Sequence, residues 1–209
     1  KIYGDLGKKA DRILRTYQDR EGNTGVLLEG AKGSGKSLLA RIVALRAQEL
    51  GLPVILVSKA YHGSILGPLL ASLNQRAVIF FDEFEKIYSV QSRSLRSGAE
   101  SGEVAAQESL LTLLDGTSTT NHLFLFTVND THRMDSHLKN RPGRIYYALS
   151  FSGLEDNFIQ EYCEDKLENK ERVNSVVELA QQFNEFNFDI LQALVEHGVN
   201  ELTLETPDY

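Results

Sequence analysis

Gly30-Ala31-Lys32-Gly33-Ser34-Gly35-Lys36-Ser37 lies between an apolar run, Val26-Leu27-Leu28, and a stretch with helical spacing, Ser37-Leu38-Leu39-Ala40-Arg41-Ile42-Val43. Glycine at the first, fourth and sixth positions lets a backbone turn sharply and aim its N–H groups at a phosphate. In a strand–loop–helix context the lysine that follows reaches the β and γ phosphates, and the next hydroxyl ligates Mg2+. The stretch therefore predicts a phosphate-binding P-loop for ATP and Mg2+. Its contact set is Gly30, Lys32, Gly33, Ser34, Gly35, Lys36, Ser37 and Leu38, with Ser37 also a metal ligand.

Outward from this loop, short apolar runs alternate with helical patterns through the first 150 residues. The strand candidates are 26–29, 54–57, 78–81, 123–127 and 145–149; helical spacing covers 36–50, 64–74, 104–115 and 134–139. Every strand reads as buried on both faces, the pattern of a parallel sheet covered by helices, in which ligands bind beyond the carboxyl ends of the strands. Gly51-Leu52-Pro53 stops the helix after the loop. From about Ser152 only helical spacing remains: Leu154, Phe158, Tyr162, then Val173, Val176, Ala180, Phe183, then Phe188, Leu191, Leu194, Val195. The expected fold class is α/β, a P-loop NTPase sheet over residues 1–151 followed by a small all-helical lid over 152–209. A Ser- and Arg-rich segment from Ser89 to Ala99 has no periodicity and reads as a loop.

Composition excludes several classes. Hydrophobic residues make up 42% and charged ones 24%, ordinary values for a globular protein rather than a disordered one. No stretch approaches the roughly 18 uncharged apolar residues of a membrane span, and the segment from Lys1 to Asp5 has no signal-peptide core. A soluble cytoplasmic protein is expected. The single cysteine, Cys163, rules out an internal disulfide or a cysteine-based zinc site and reads as core packing. The net charge of −7 hides a division: residues 151–209 carry 3 Lys and Arg against 14 Asp and Glu, which leaves residues 1–150 at +4. A mildly basic front half suits phosphate chemistry, and the acidic remainder repels nucleic acid or is simply a solvated surface.

Two further strand ends carry chemistry. Ala77-Val78-Ile79-Phe80-Phe81 delivers Asp82 and Glu83 together. In P-loop chemistry the first carboxylate holds the metal's shell and the second polarises the attacking water. Leu123 to Val128 delivers Asn129 to the same edge, where its amide can hold the water or the γ-phosphate; an ordinary turn after a strand is the alternative. Asn140-Arg141-Pro142-Gly143-Arg144 puts two guanidinium groups around a turn. Arg141 and Arg144 are expected to serve a neighbouring subunit's γ-phosphate, unless they are plain surface residues ahead of a strand.

The order of these parts resembles the AAA family in the narrow sense, the AAA+ type with katanin, spastin and the membrane-fusion and protein-extraction ATPases. The resemblance includes Leu110-Leu111-Thr112-Leu113-Leu114-Asp115-Gly116, Thr127-Val128-Asn129, which is like the sensor-1 motif, and Arg141-Pro142-Gly143-Arg144, which is like the arginine-finger turn. It implies a homo-oligomeric ring, as a rule a hexamer, with ATP at each subunit boundary and the helical lid over the nucleotide. It also implies a pore element of aromatic, hydrophobic and glycine residues after the second strand, where this chain has Tyr61-His62-Gly63. Asn187-Phe188-Asp189-Ile190 departs from the family's Gly-Ala before Asp-Leu, and Asp135-Ser136-His137-Leu138 from its Asp-Pro-Ala-Leu. The function expected is an ATP-driven motor that remodels or unfolds a protein substrate. The alternatives are a nucleic-acid motor or loader, supported by Arg93 and Arg96, and a scaffold whose assembly is timed by nucleotide.

Overall fold

The computed structural model describes residues 1–58, 63–88, 114, 121–129, 145–183 and 186–197. Their elements follow the order α1 (Leu6–Asp19), β1 (Thr24–Gly30), α2 (Lys36–Glu49), β2 (Val54–Val57), α3 (Gly63–Ser72), β3 (Val78–Phe81), α4 (Phe84–Tyr88), β4 (Leu123–Val128), β5 (Ile145–Phe151), α5 (Asp156–Lys166), α6 (Lys170–Ala180) and α7 (Phe188–His197). The expected strands are all present, with β1 three and β5 two residues longer than expected. The expected helices over 104–115 and 134–139 lie outside the described residues, except Leu114, which is helical and buried. The loop from Ser89 to Ala99 also lies outside them.

The sheet has five strands in the order β2-β3-β4-β1-β5, and every pairing is parallel. Side chains alternate between its faces, as the two-residue period of a strand requires. Val26, Leu28, Val78, Phe80, Leu123 and Leu125 face a core shared with α1, α2 and the C-terminal helices. Leu27, Ile79, Phe81, Phe124, Phe126 and Val128 face a second core with Leu66 and Leu70 of α3 and Phe84 of α4. Burying one side chain of this size contributes about 1.5–3 kcal/mol, so the two apolar layers are the main source of stability.

The expectation that all five strands are buried on both faces is corrected at the margins. The central strands β3 and β4 are buried throughout. β2 and β5 are the edges of the sheet; Leu56 of β2 is 60% exposed, and β5 alternates between exposed and half-buried positions. An edge strand has a neighbouring strand on one side only, and these two are less enclosed than the central ones.

Helix α1 is absent from the sequence reading although its spacing is helical: Leu6, Ala10, Ile13, Leu14 and Tyr17 form the buried stripe. It packs beside α2, to which Arg46 ties it through Asp11 and the Gly7 carbonyl. Helix α2 ends as expected: Gly51 takes a positive φ of 76°, and Gly51 and Leu52 donate to the carbonyls of Gln48 and Ala47. Among the C-terminal helices, Asn169 and Asn187 are N-caps, accepting from the N–H groups of Glu171 and Ile190 respectively. Cys163 is fully buried on α5, and burial pushes its thiol up to about 11, in keeping with core packing. Residues ahead of α1 lie across α5, where Lys1 and Tyr3 both donate to Asp165, at 2.6 and 2.7 Å. No helix among the described residues is long and apolar enough to cross a membrane.

Strands β1 and β5 leave no room for a side chain at the start of the P-loop. Gly30 pairs with Phe151, has a φ of 144°, and a Cβ placed on it would lie 2.0 Å from the Phe151 carbonyl oxygen. No side chain fits. Gly30→Ala is expected to force β1 and β5 apart and to lower stability by about 2 kcal/mol or more, read as a shift of the urea midpoint; a wild-type midpoint would show that this contact has room to give.

Candidate functional site

Strand register decides which side chains meet. Phe81 pairs with Phe126, and Glu29 with Val128. One step on, Asp82 is therefore level with Thr127, and Gly30 is level with Asn129. The three strand ends β1, β3 and β4 deliver the loop, the two carboxylates and the asparagine to one edge of the sheet. They do so where the chain has crossed from β1 out to β2 and back, the place at which an open α/β sheet forms a crevice.

A cavity of about 660 Å³ opens there. Its walls include Lys32, Gly33, Gly35, Lys36, Ser37 and Leu38 of the loop and α2, with Asp82, Glu83 and Asn129 from the strand ends. The volume lies in the range of small-molecule and cofactor sites. Of the predicted contact set, Gly30 and Ser34 stand behind this wall. Ser34 is buried and its hydroxyl donates to the Ala31 carbonyl at 2.8 Å, which holds the loop's turn. Gly35, with a φ of 101°, is the N-cap of α2, a left-handed position at which a side chain is strained.

Lys36 is 5% exposed, and its ammonium donates to the carbonyls of Gly30 and Ala31 at 2.7 and 2.6 Å. Burial holds its pKa below the ordinary lysine value, against the pull of Glu85, Asp82 and Glu83. A buried cation whose contacts among the described residues are neutral backbone acceptors is chemically suited to an anion.

Asp82 is the hub of the carboxylate side. Its Oδ1 accepts from the Ser37 hydroxyl at 2.9 Å and from the Thr127 hydroxyl at 2.7 Å. Thr127 in turn accepts from the Glu83 N–H at 2.8 Å. Glu83 itself has a φ of 53°, the left-handed region that non-glycine residues seldom adopt and that is found disproportionately at functional sites. This turn lifts its carboxylate off the line of β3. There Oε1 accepts from Lys86 at 2.7 Å and from the Asn129 amide at 3.3 Å. Ser37 Oγ and the Asp82 carboxylate form a hard oxygen pair that fits Mg2+, a cation that takes few protein ligands and completes its shell with water and phosphate.

The aromatic part of the lining is Tyr3, Phe158 and Phe188, with Leu154 and Asp189 also on the wall. Tyr3 meets Phe158 edge-on at 5.7 Å, and Phe158 meets Phe188 at 6.2 Å. The loop is tied to this part by a backbone bond, from the Phe188 N–H to the Gly33 carbonyl at 3.1 Å. Tyr3, Phe158 and Phe188 are neighbours of the site that sequence reasoning did not assign to it, and Thr127 entered only as part of the sensor-1-like stretch, without a role of its own. Thr127 had a signal, because it stands at the end of β4 beside Asn129. The aromatic residues had none, since their spacing marks only core-facing helix positions. Arg141, Arg144, Tyr61 and His62 lie outside the described residues; Gly63 is the first residue of α3.

A parallel sheet with a glycine-rich loop leading from β1 into α2 and a paired carboxylate at the end of β3 defines a P-loop nucleotide-binding fold. The chain belongs to the ATPase family associated with various cellular activities (AAA), whose model matches residues 26–151. It is 33% identical over 152 residues to the peroxisomal ATPase pex6 of Schizosaccharomyces pombe, an alignment covering 63% of this chain and 14% of that protein. It is 36% identical over 135 residues to 26S proteasome regulatory subunit 8 of Dictyostelium discoideum, covering 61% of this chain and 33% of that one. The chain thus matches a minor part of each relative's length. Among solved structures it superposes on the Thermotoga maritima RuvB Holliday junction branch migration motor with a TM-score of 0.59 at 18% identity, over 92% of this chain and 61% of that one. That likeness bears on the fold alone.

Thr127→Val is expected to remove the donor to Asp82 and the acceptor of the Glu83 N–H while keeping the shape of the side chain. The loss should be about 1–3 kcal/mol, as for other buried partners left unmatched, and Thr127→Ser, which keeps the hydroxyl, should lose less. Equal urea midpoints for the valine and serine variants would remove the hydroxyl from the account.

Proposed function

We propose that the cavity binds Mg-ATP and that this chain is the hydrolytic module of a ring-forming AAA+ motor, of the katanin and spastin type, that remodels or unfolds a protein substrate. The observation that carries the reading is the gathering of Lys36, Ser37, Asp82, Glu83 and Asn129 around one cavity, with the buried Lys36 ammonium donating to the Gly30 and Ala31 carbonyls. When ATP enters, Lys36 exchanges the Gly30 and Ala31 carbonyls for β and γ phosphate oxygens. Ser37 and Asp82 hold Mg2+, which when bound neutralises phosphate charge. Glu83 takes a proton from the attacking water as its oxygen bonds to the γ-phosphorus. The bond from that phosphorus to the bridging oxygen breaks, leaving ADP and phosphate. Asn129 orients the water or the γ-phosphate. The aromatic part of the cavity takes the adenine ring by stacking.

In this reading residues 1–151 form the ATPase domain and 152–209 the lid. Arg141 and Arg144 act on the neighbouring subunit's ATP, and Tyr61-His62-Gly63 grips substrate in the pore. The protein substrate is supported by the 36% identity to a proteasome regulatory subunit.

Lys36→Ala is expected to abolish ATP binding, measured by displacement of a fluorescent nucleotide. Glu83→Gln should keep ATP bound and lower turnover by about 100-fold or more, the usual worth of a general base; undiminished phosphate release would move the base elsewhere. The shared site is tested by mixing. Glu83→Gln retains the arginines, whereas an Arg141→Ala/Arg144→Ala double variant retains the base. Each should be nearly inactive alone. Mixed rings contain some boundaries that unite an intact base with intact arginines, so activity should return, because an arginine in trans contributes several orders of magnitude. No recovery in mixtures shown to exchange subunits would demote both arginines to structural roles.

A further inference from the structure

Glu85 is a buried acid that the proposed mechanism does not use. It lies in the first turn of α4, two residues past Glu83, and is 5% exposed. Its Oε1 accepts two hydrogen bonds from a single residue: the Asn129 N–H at 3.0 Å and the Asn129 side-chain amide at 2.8 Å. Its Oε2 is shielded from solvent and has no hydrogen-bond partner among the described residues. A carboxylate in such surroundings is costly to keep unless its position serves a purpose.

The chemistry of the contact removes the usual ambiguity of an asparagine's orientation. Glu85 Oε1 already accepts from the Asn129 N–H, and an oxygen acting as acceptor is matched by the NH2 group of the Asn129 side chain rather than by its oxygen. That NH2 group carries two hydrogens. One is directed to Glu85; the other faces Glu83 Oε1 at 3.3 Å, a longer and more easily exchanged contact. Holding the backbone and the side chain of Asn129 from one point fixes the side chain's torsions, and with them the direction of the second hydrogen.

We infer that Glu85 is a positioning residue: it locks Asn129 so that one amide hydrogen is aimed at Glu83 and at the water and γ-phosphate beside it. The inference rests on the ATPase reading above. It differs from a packing role in what it leaves untouched. Lys36, Ser37 and Asp82 make their own contacts without Glu85, and Glu85 adds negative charge near the ammonium that receives phosphate. Its removal should slow turnover without weakening ATP.

The test uses the whole chain with Glu85→Ala, Glu85→Gln, Asn129→Ala and the Glu85→Ala/Asn129→Ala double variant. Phosphate release gives kcat, and displacement of a fluorescent ADP gives the ATP Kd. Glu85→Ala is expected to lower kcat by about 10- to 100-fold, the scale of a misplaced catalytic group, with an ATP Kd that is unchanged or tighter. Glu85→Gln keeps an acceptor oxygen at the same reach and should recover most of the loss. The double variant should match Asn129→Ala within about twofold, because the two side chains act as one unit.

A wild-type kcat in Glu85→Ala, a loss confined to Kd, or losses that multiply in the double variant would each overturn the proposal. If Glu85→Ala does not fold, Glu85→Asp decides. It keeps the charge but draws the oxygen back by one methylene, so its kcat should fall below that of Glu85→Gln; the reverse order would show that charge and not reach matters, against the proposal. A wild type without phosphate release overturns the ATPase reading and this one with it, whereas a working wild type with an unaffected Glu85→Ala overturns this one alone.

Discussion

One carboxylate oxygen, Asp82 Oδ1, accepts hydroxyl hydrogens from two separate elements, Ser37 at the start of α2 and Thr127 at the end of β4. Neither contact is strong by itself, since a hydrogen bond to a charged group contributes about 1.5–3 kcal/mol at most. Their joint effect is geometric. The P-loop helix, the strand ahead of Glu83 and the strand ahead of Asn129 are referred to one atom. That is possible only because β4 lies between β3 and β1, an order that brings together three strand ends spaced far apart along the chain.

Beneath this junction the sheet is stiff. Phe81 stacks on Phe126 at 5.0 Å, and Phe84 meets both rings edge-on at 5.9 and 5.3 Å. These rings are buried in the core on the α3 side, directly under Asp82 and Thr127 in register. Such packing tolerates little displacement. It holds in place the left-handed backbone of Glu83, which costs of order 1–3 kcal/mol on its own. Apolar burial on one face of the sheet thus stabilises an unfavourable conformation at its edge, and the edge is where chemistry needs a carboxylate turned out of line.

The legible part of this architecture is the part written in local patterns. The P-loop, the apolar strands and the Asp82-Glu83 pair combine residue type with spacing, and the strands form with the loop after β1 and the carboxylates after β3. The edge strands β2 and β5 differ because strand order is a long-range property, and an apolar run does not say which strand will lack a neighbour. Helix α1 carries a readable stripe from Leu6 to Tyr17, a local pattern of the same kind. Thr127 and Glu85 are harder cases. Their importance comes from the register of β3 against β4, which sets residues 44 to 45 positions apart at hydrogen-bond distance. The aromatic part of the cavity joins Tyr3 to Phe158 and Phe188, a contact between the beginning of the chain and its last described helices that no local spacing encodes.

The bond between the Phe188 amide and the Gly33 carbonyl is made by main-chain atoms on both sides. Almost any amino acid at either position would still possess the group required, proline at 188 being the exception. The constraint falls on the backbone shape instead: Gly33 has a φ of 78°, and a Cβ there would lie 3.0 Å from the Asn187 Cβ, so the loop end of the link depends on glycine while the Phe188 end does not depend on its ring.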